Sequence, residues 1–153
     1  MSMTNLPDPH TLARLVSNVT QVMCGLSFGA VDGRQTPPVV CWRMAVLEVT
    51  GKRPWRVALF SDRPGCLALG TALLQRPAER LEDGMLEDSL CELLNMAAGQ
   101  IKMALSPDEY LGIPKITSHD DLSPGSQAAY RRGILLRSQD SVNLMMWISE
   151  GLG

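Results

Sequence analysis

The stretch that most constrains the fold is Leu86 to Leu105, LEDSLCELLNMAAGQIKMAL, which has no proline and an apolar period close to that of an α-helix. At ~100° per residue, Leu86, Leu90, Leu93, Leu94, Ala97, Ile101 and Ala104 fall in one arc. An arc of that width predicts a long helix docked on a sheet. Asp88, Glu92, Asn95, Gly99 and Lys102 fall on the other side. Glu92 and Asn95 are three residues apart, so their side chains are surface neighbours.

Two readings of that polar side are open. Acids near a helix start and a lysine near its end suit the helix dipole, and such a face can be merely solvated. Asn95 and Gly99 argue for more. Both are poor mid-helix residues, and a glycine there costs ~1 kcal/mol relative to alanine. A glycine one turn after an asparagine also leaves backbone uncovered, so another surface can approach closely. Met96 and Met103 lie on one flank of the same face, where adaptable thioethers suit docking contacts. Lys102 is most simply a dipole-complementing surface lysine, and it also belongs to the docking face.

The chain has 153 residues, 45% of them hydrophobic, which is enough for one domain with its own core. Residues 1–153 are therefore expected to form a single domain, with 1–7 disordered. The net charge is −2 and there is no basic block, which argues against nucleic acid as a partner. No apolar run reaches the ~20 residues of a membrane span. The start, MSMTNLPDPH, has neither the basic nor the apolar region of a signal peptide. Cys24, Cys41, Cys66 and Cys91 are widely spaced in apolar contexts without a CxxC pair. They read as buried thiols of a cytoplasmic protein rather than as a zinc site or disulfide framework.

Along the chain, Asp8-Pro9 predicts the cap and first residue of a helix running to about Met23, closed by Cys24-Gly25. Phe28 to Pro38 reads as a loop, or a short strand and turn. Val39 to Thr50 and Trp55 to Ser61 read as strands joined by a turn at Gly51-Lys52. Pro64 to Gln75 reads as a helix capped by Asp62, followed by a charged loop over 76–84. After Ser106-Pro107, Gly112 to Ser118 reads as a short strand and His119 to Ser126 as a polar turn region. Arg132 to Arg137 and Ser141 to Ser149 read as the last two strands, joined by a turn at Ser138 to Asp140. The last strand is apolar enough to be central. The expected class is α+β, a single domain with long helices packed on a mainly antiparallel β-sheet.

Other chemistry-bearing residues read as structural. His10 sits near a helix start and is expected to be exposed. His119 beside Asp120 and Asp121 reads as part of a turn with Asx-type hydrogen bonds. Arg131-Arg132 reads as an edge device leading into a strand. Trp42, Trp55 and Trp147 read as core or sheet-face residues. No GxSxG, Walker or dinucleotide fingerprint is present.

Asp88-x3-Glu92-x2-Asn95, followed by Met96, Gly99 and Lys102, resembles the signature helix of the CheC/CheX/FliY phosphatases of bacterial chemotaxis. Their pattern is Ser or Asp, three residues, Glu, two residues, Asn, and a proline further on. The run ELLNMAAGQIK is particularly similar to CheX-type proteins. The resemblance is specific over Asp88 to Lys102 and weak elsewhere. The corresponding proline is Pro114, nearer to Asn95 than in the family pattern. A second copy of the motif is not expected, because Leu15 rather than an acid stands three residues before Asn18.

The resemblance implies a CheC/CheX-like fold that can pair into homodimers, and a CheY-like response-regulator receiver as the partner. It implies hydrolysis of that receiver's aspartyl phosphate, with Asn95 orienting the attacking water. Glu92 would pair with the receiver's active-site lysine and Asp88 would reinforce the contact. Gly99 would leave room for the partner's loops. Mg2+ would come from the receiver, with no metal of this chain's own. The alternative is a non-catalytic module of the same fold that binds a response regulator or flagellar partner through the same helix.

Overall fold

The structure, a computed structural model, describes residues 7–31 and 39–151. The expectation of disorder over residues 1–7 falls, apart from Pro7, outside the described residues, as does the 32–38 part of the expected loop. Among the described residues four helices pack on one mostly antiparallel seven-stranded sheet, the α+β arrangement expected from the sequence.

Helix α1 (Pro9–Cys24) begins as anticipated: Asp8 accepts a hydrogen bond from Thr11 N at 2.8 Å, and Pro9 takes the first helical position. Gly25 ends it in the left-handed conformation, φ 69°, which glycine adopts without steric cost. Strand β1 (Phe28–Val31) follows. β2 (Arg43–Thr50) and β3 (Trp55–Ser61) form the expected hairpin. β2 begins at Arg43 rather than Val39, and Trp42 N donates to Ser61 O just ahead of it. Helix α2 (Arg63–Leu74) is capped by Asp62, which accepts from Gly65 N at 2.7 Å. Helix α3 (Asp83–Leu105) is the long helix, starting three residues earlier than expected.

Two short strands follow, β4 (Tyr110–Leu111) and β5 (Lys115–Thr117), in place of one strand over Gly112 to Ser118. Both pair with β2, and Gly112 N bridges them by donating to Glu48 O at 2.8 Å. The region read as turns holds a 3-10 turn at His119–Asp121 and then helix α4 (Pro124–Arg131), capped by Ser123. Arg131 and Arg132 therefore end a helix rather than lead into a strand. β6 (Ile134–Ser138) and β7 (Asn143–Glu150) complete the sheet, in the order β1-β6-β7-β3-β2-β4 with β5 also on β2. β7 is central, between β6 and β3.

Strand alternation explains the layers. Ala45, Leu47, Val49, Val57, Leu59, Leu144 and Met146 join Leu12, Val16, Leu69, Leu90, Leu93, Leu94 and Ile101 in the main core. Met44, Ala58, Phe60 and Trp147 point the other way and pack with Leu122 and Ala129 beneath α4. So β7 is apolar on both faces because both are covered. Trp55 and Trp147 are buried, as read from the sequence, whereas Trp42 is half-exposed beside two arginines. Of the four cysteines only Cys66 is fully buried; all are free thiols.

Candidate functional site: the outer face of α3

Helix α3 buries Leu86, Ser89, Leu90, Leu93, Leu94, Ala97, Ala98 and Ile101. Ala104, placed in the apolar arc by periodicity, is exposed because it lies in the last turn. The opposite side carries every residue singled out from the sequence. Asp88 and Glu92 are exposed, and Asn95, Gly99 and Lys102 are half-buried. Met96 and Met103 are 45% and 66% exposed, which leaves both thioethers free for contact. Among the described residues no side-chain hydrogen bond or ion pair engages Asp88, Glu92 or Asn95. Lys102 differs: its Nζ donates to Pro107 O at 2.7 Å, tying the loop after α3 back onto the helix. A Cβ built on Gly99 meets nothing within 4 Å. Nothing within the described chain therefore requires a glycine there.

Contacts at both ends hold this face in place. Glu82, the residue before the first turn, makes no side-chain capping bond. The acids of the first turns are instead held from outside the helix. Arg63, the first residue of α2, binds Asp83 at 2.9 Å, and Arg43, the first residue of β2, binds Glu87 at 2.8 Å. Both guanidinium groups lie against the Trp42 ring, at 4.2 Å (Arg43) and 5.1 Å (Arg63) from its centroid. At the far end, Trp55 Nε1 donates to Ser106 Oγ at 3.0 Å. Between them α2 presses close: a Cβ on Gly70 would fall 2.6 Å from Leu86 Cδ2. The arginine–tryptophan cluster was not foreseen from sequence. Its members are far apart in the chain, and its only local trace is the adjacent Trp42-Arg43 pair.

The local chemistry is acidic. Burial raises the Cys91 thiol above its ordinary value, and the carboxylates of Asp88 and Glu87 add to the rise. The neutral thiol of Cys91 thus stands one turn from Asn95. Among the described residues no group of three or more His, Cys, Asp or Glu could hold a metal ion, and no helix is long and apolar enough to cross a membrane. Pro114 lies in the link between β4 and β5, two strands that approach α3 at the sheet edge.

The histidines stand apart from this face. His10 is exposed. His119 sets its ring edge-on to Tyr130 at 4.6 Å, and Tyr130 stacks on Phe60 at 4.9 Å, so Tyr130 fastens α4 to the sheet and His119 packs the preceding 3-10 turn against α4. A concavity of about 680 Å³ lies beside the sheet face that bears α4, lined in part by Glu48, Arg56, Ile113 and Lys115. Its arginine is occupied by Glu48 and Ser126. The α3 face itself is the convex outside of a helix. Such a shape suits a macromolecular partner better than a small molecule, which binds in concave sites.

No protein-family model matches the chain, and no curated protein matches it. Solved structures do. Chemotaxis protein CheX from Vibrio vulnificus aligns with TM-score 0.71 and 16% identity, over 99% of this chain and 99% of that one. A CheX-CheY-BeF3-Mg+2 complex from Borrelia burgdorferi aligns with TM-score 0.66 and 13% identity, over 94% and 97%. A CheC-like superfamily protein from a Shewanella species aligns with TM-score 0.62 and 15% identity, over 99% of each chain. The chain therefore has the CheX/CheC-like fold.

Proposed function

We propose that the chain is a CheX-like phosphatase that hydrolyses the aspartyl phosphate of a CheY-like receiver in chemotaxis or motility signalling. The observation that carries this reading is the outer face of α3. It offers exposed Asp88 and Glu92 and half-buried Asn95 in one row, without side-chain hydrogen-bond or ion-pair partners among the described residues, on a fold whose neighbours include a CheX captured with CheY.

In this reading the receiver docks on α3 and brings its own Mg2+. Glu92 meets the cationic side chain of the receiver's active site, and Asp88 reinforces that contact. Met96, Gly99, Lys102 and Met103 complete the footprint. Asn95 faces the phosphoryl group through one water. Its amide oxygen accepts a hydrogen bond from that water and holds the lone pair in line with phosphorus, as a water-positioning glutamine does in other phosphoryl transfers. The water oxygen bonds to phosphorus as the bond from phosphorus to the aspartyl oxygen breaks. The electron pair leaves with the carboxylate, and the water proton ends on inorganic phosphate. Asn95 is neutral throughout and forms no covalent bond. Positioning of this kind can supply several kcal/mol of the barrier reduction.

The test is the decay of aspartyl phosphate on each receiver of the source genome, with and without the protein. The reading expects acceleration on at least one receiver. Binding of a phosphorylated receiver without acceleration would favour the non-catalytic docking module instead.

A further inference from the structure

We infer that Arg43 is a positioning residue for the α3 site, acting through Glu87. This rests on the phosphatase reading above. Arg43 begins β2, and its side chain makes three distinct contacts. Nε donates to Glu87 Oε2 at 2.8 Å, Nη1 donates to Trp42 O at 3.0 Å, and the guanidinium plane lies over the Trp42 ring. Arg43 and Glu87 are 35% and 31% exposed. The pair is thus held by stacking and partial burial, unlike a freely solvated surface ion pair of little worth.

Glu87, Cys91 and Asn95 follow one another at intervals of four, so they form a single row along α3. The buried side chains of α3 set the azimuth of the helix as a whole, and the Arg43–Glu87 contact adds a polar tie from β2 to the row that ends at the Asn95 amide two turns away. Glu82 provides no side-chain cap, so the polar contacts at this end of the helix come from outside it. Arg63 and Asp83 hold the first turn in the same manner, but both are more exposed and lie a turn further from Asn95. Arg43 is therefore the ion-paired group that ties the row bearing the water-orienting amide to the sheet, acting on that amide through Glu87. An arginine is required because a lysine offers one charge point and can neither stack flat on an indole nor donate in two directions from a rigid fork.

The experiment compares steady-state dephosphorylation of a responsive receiver by wild type, Arg43→Met, Arg43→Lys and Glu87→Gln, with circular dichroism and thermal melting of each. Misplacement of a positioning group costs rate rather than affinity, so Arg43→Met should lower kcat about tenfold or more while KM stays within about threefold. Glu87→Gln should show the same split more weakly, Arg43→Lys should recover part of kcat, and all should keep the wild-type spectrum and melt as one transition. Unchanged kcat in Arg43→Met, or a parallel loss of kcat and folding, would overturn the positioning role. Wild type that accelerates no receiver would be a different failure: it would overturn the phosphatase reading and this inference with it.

Discussion

Individual side chains make the sharpest demands on this account. The Asn95 side chain has no hydrogen-bond partner among the described residues, so its replacement removes no side-chain hydrogen bond from the fold. Alanine is the better helix former by a few tenths of a kcal/mol. Asn95→Ala should therefore melt at or slightly above the wild-type temperature, and a large loss of stability would show that Asn95 is structural. Gly99 makes the complementary case. With open space around its missing Cβ, Gly99→Ala should stabilise the free protein by about 0.5–1 kcal/mol in urea unfolding. If the glycine serves the partner's approach, the same variant should weaken receiver binding. Gain in both would assign the glycine no role. The thiols predict a pH effect. Burial pushes Cys66 up to about 12 and Cys41 up to about 11, from an ordinary 9.0. Groups with raised folded-state values contribute their full stability below the unfolded value and lose it as pH rises through the folded one. Stability should thus be insensitive to these thiols at pH 7–8 and fall from about pH 9 to 11–12. Cys66→Ala should flatten that fall, and an identical alkaline profile would exclude Cys66 as its source.

Among the elements, the relation between α2 and α3 decides where the site sits. α2 presents glycines as well as large side chains: Gly65, Cys66, Leu69 and Gly70 are its buried residues. Gly70→Ala should destabilise by about 1–3 kcal/mol despite alanine's better propensity, because the added methyl meets buried Leu86. The two glycine substitutions thus have opposite predicted signs in the same unfolding assay, and equal signs would refute the packing argument. The same contrast explains what could be read from sequence. α1, α2 and α3 were legible because caps and apolar periods of several turns mark them, as Asp8-Pro9 and Asp62 do. α4 was not, because PGSQAAYR spans barely two turns and its apolar surface is Ala128, Ala129 and Tyr130. β4 and β5 are two and three residues long, too short for a period of two to register. The face of α3 was legible residue by residue, since it needs only one helix. The Trp42-Arg43-Arg63-Glu87 cluster was not, since it needs three elements brought together.

For the molecule as a whole, the sheet separates two regions of different character. One face carries α1, α2 and α3 with the main core, and the other carries α4 with a smaller aromatic core around Trp147, Phe60 and Met44. The candidate site draws on the first layer alone: β2 and β3 hold α3 by its ends, through Arg43 and Trp55, and its outer face is left to solvent. In the proposed phosphatase reading that arrangement is a platform on which a partner completes the chemistry, the partner supplying phosphoryl group and cation and this chain the amide. The measurement that tests this most directly is single-turnover decay of a responsive phosphorylated receiver with saturating wild-type or Asn95→Ala protein, alongside binding of the receiver's BeF3 form. The account predicts that Asn95→Ala binds as wild type does, within about threefold, and loses about a hundredfold or more of the acceleration. Undiminished acceleration by Asn95→Ala would contradict it.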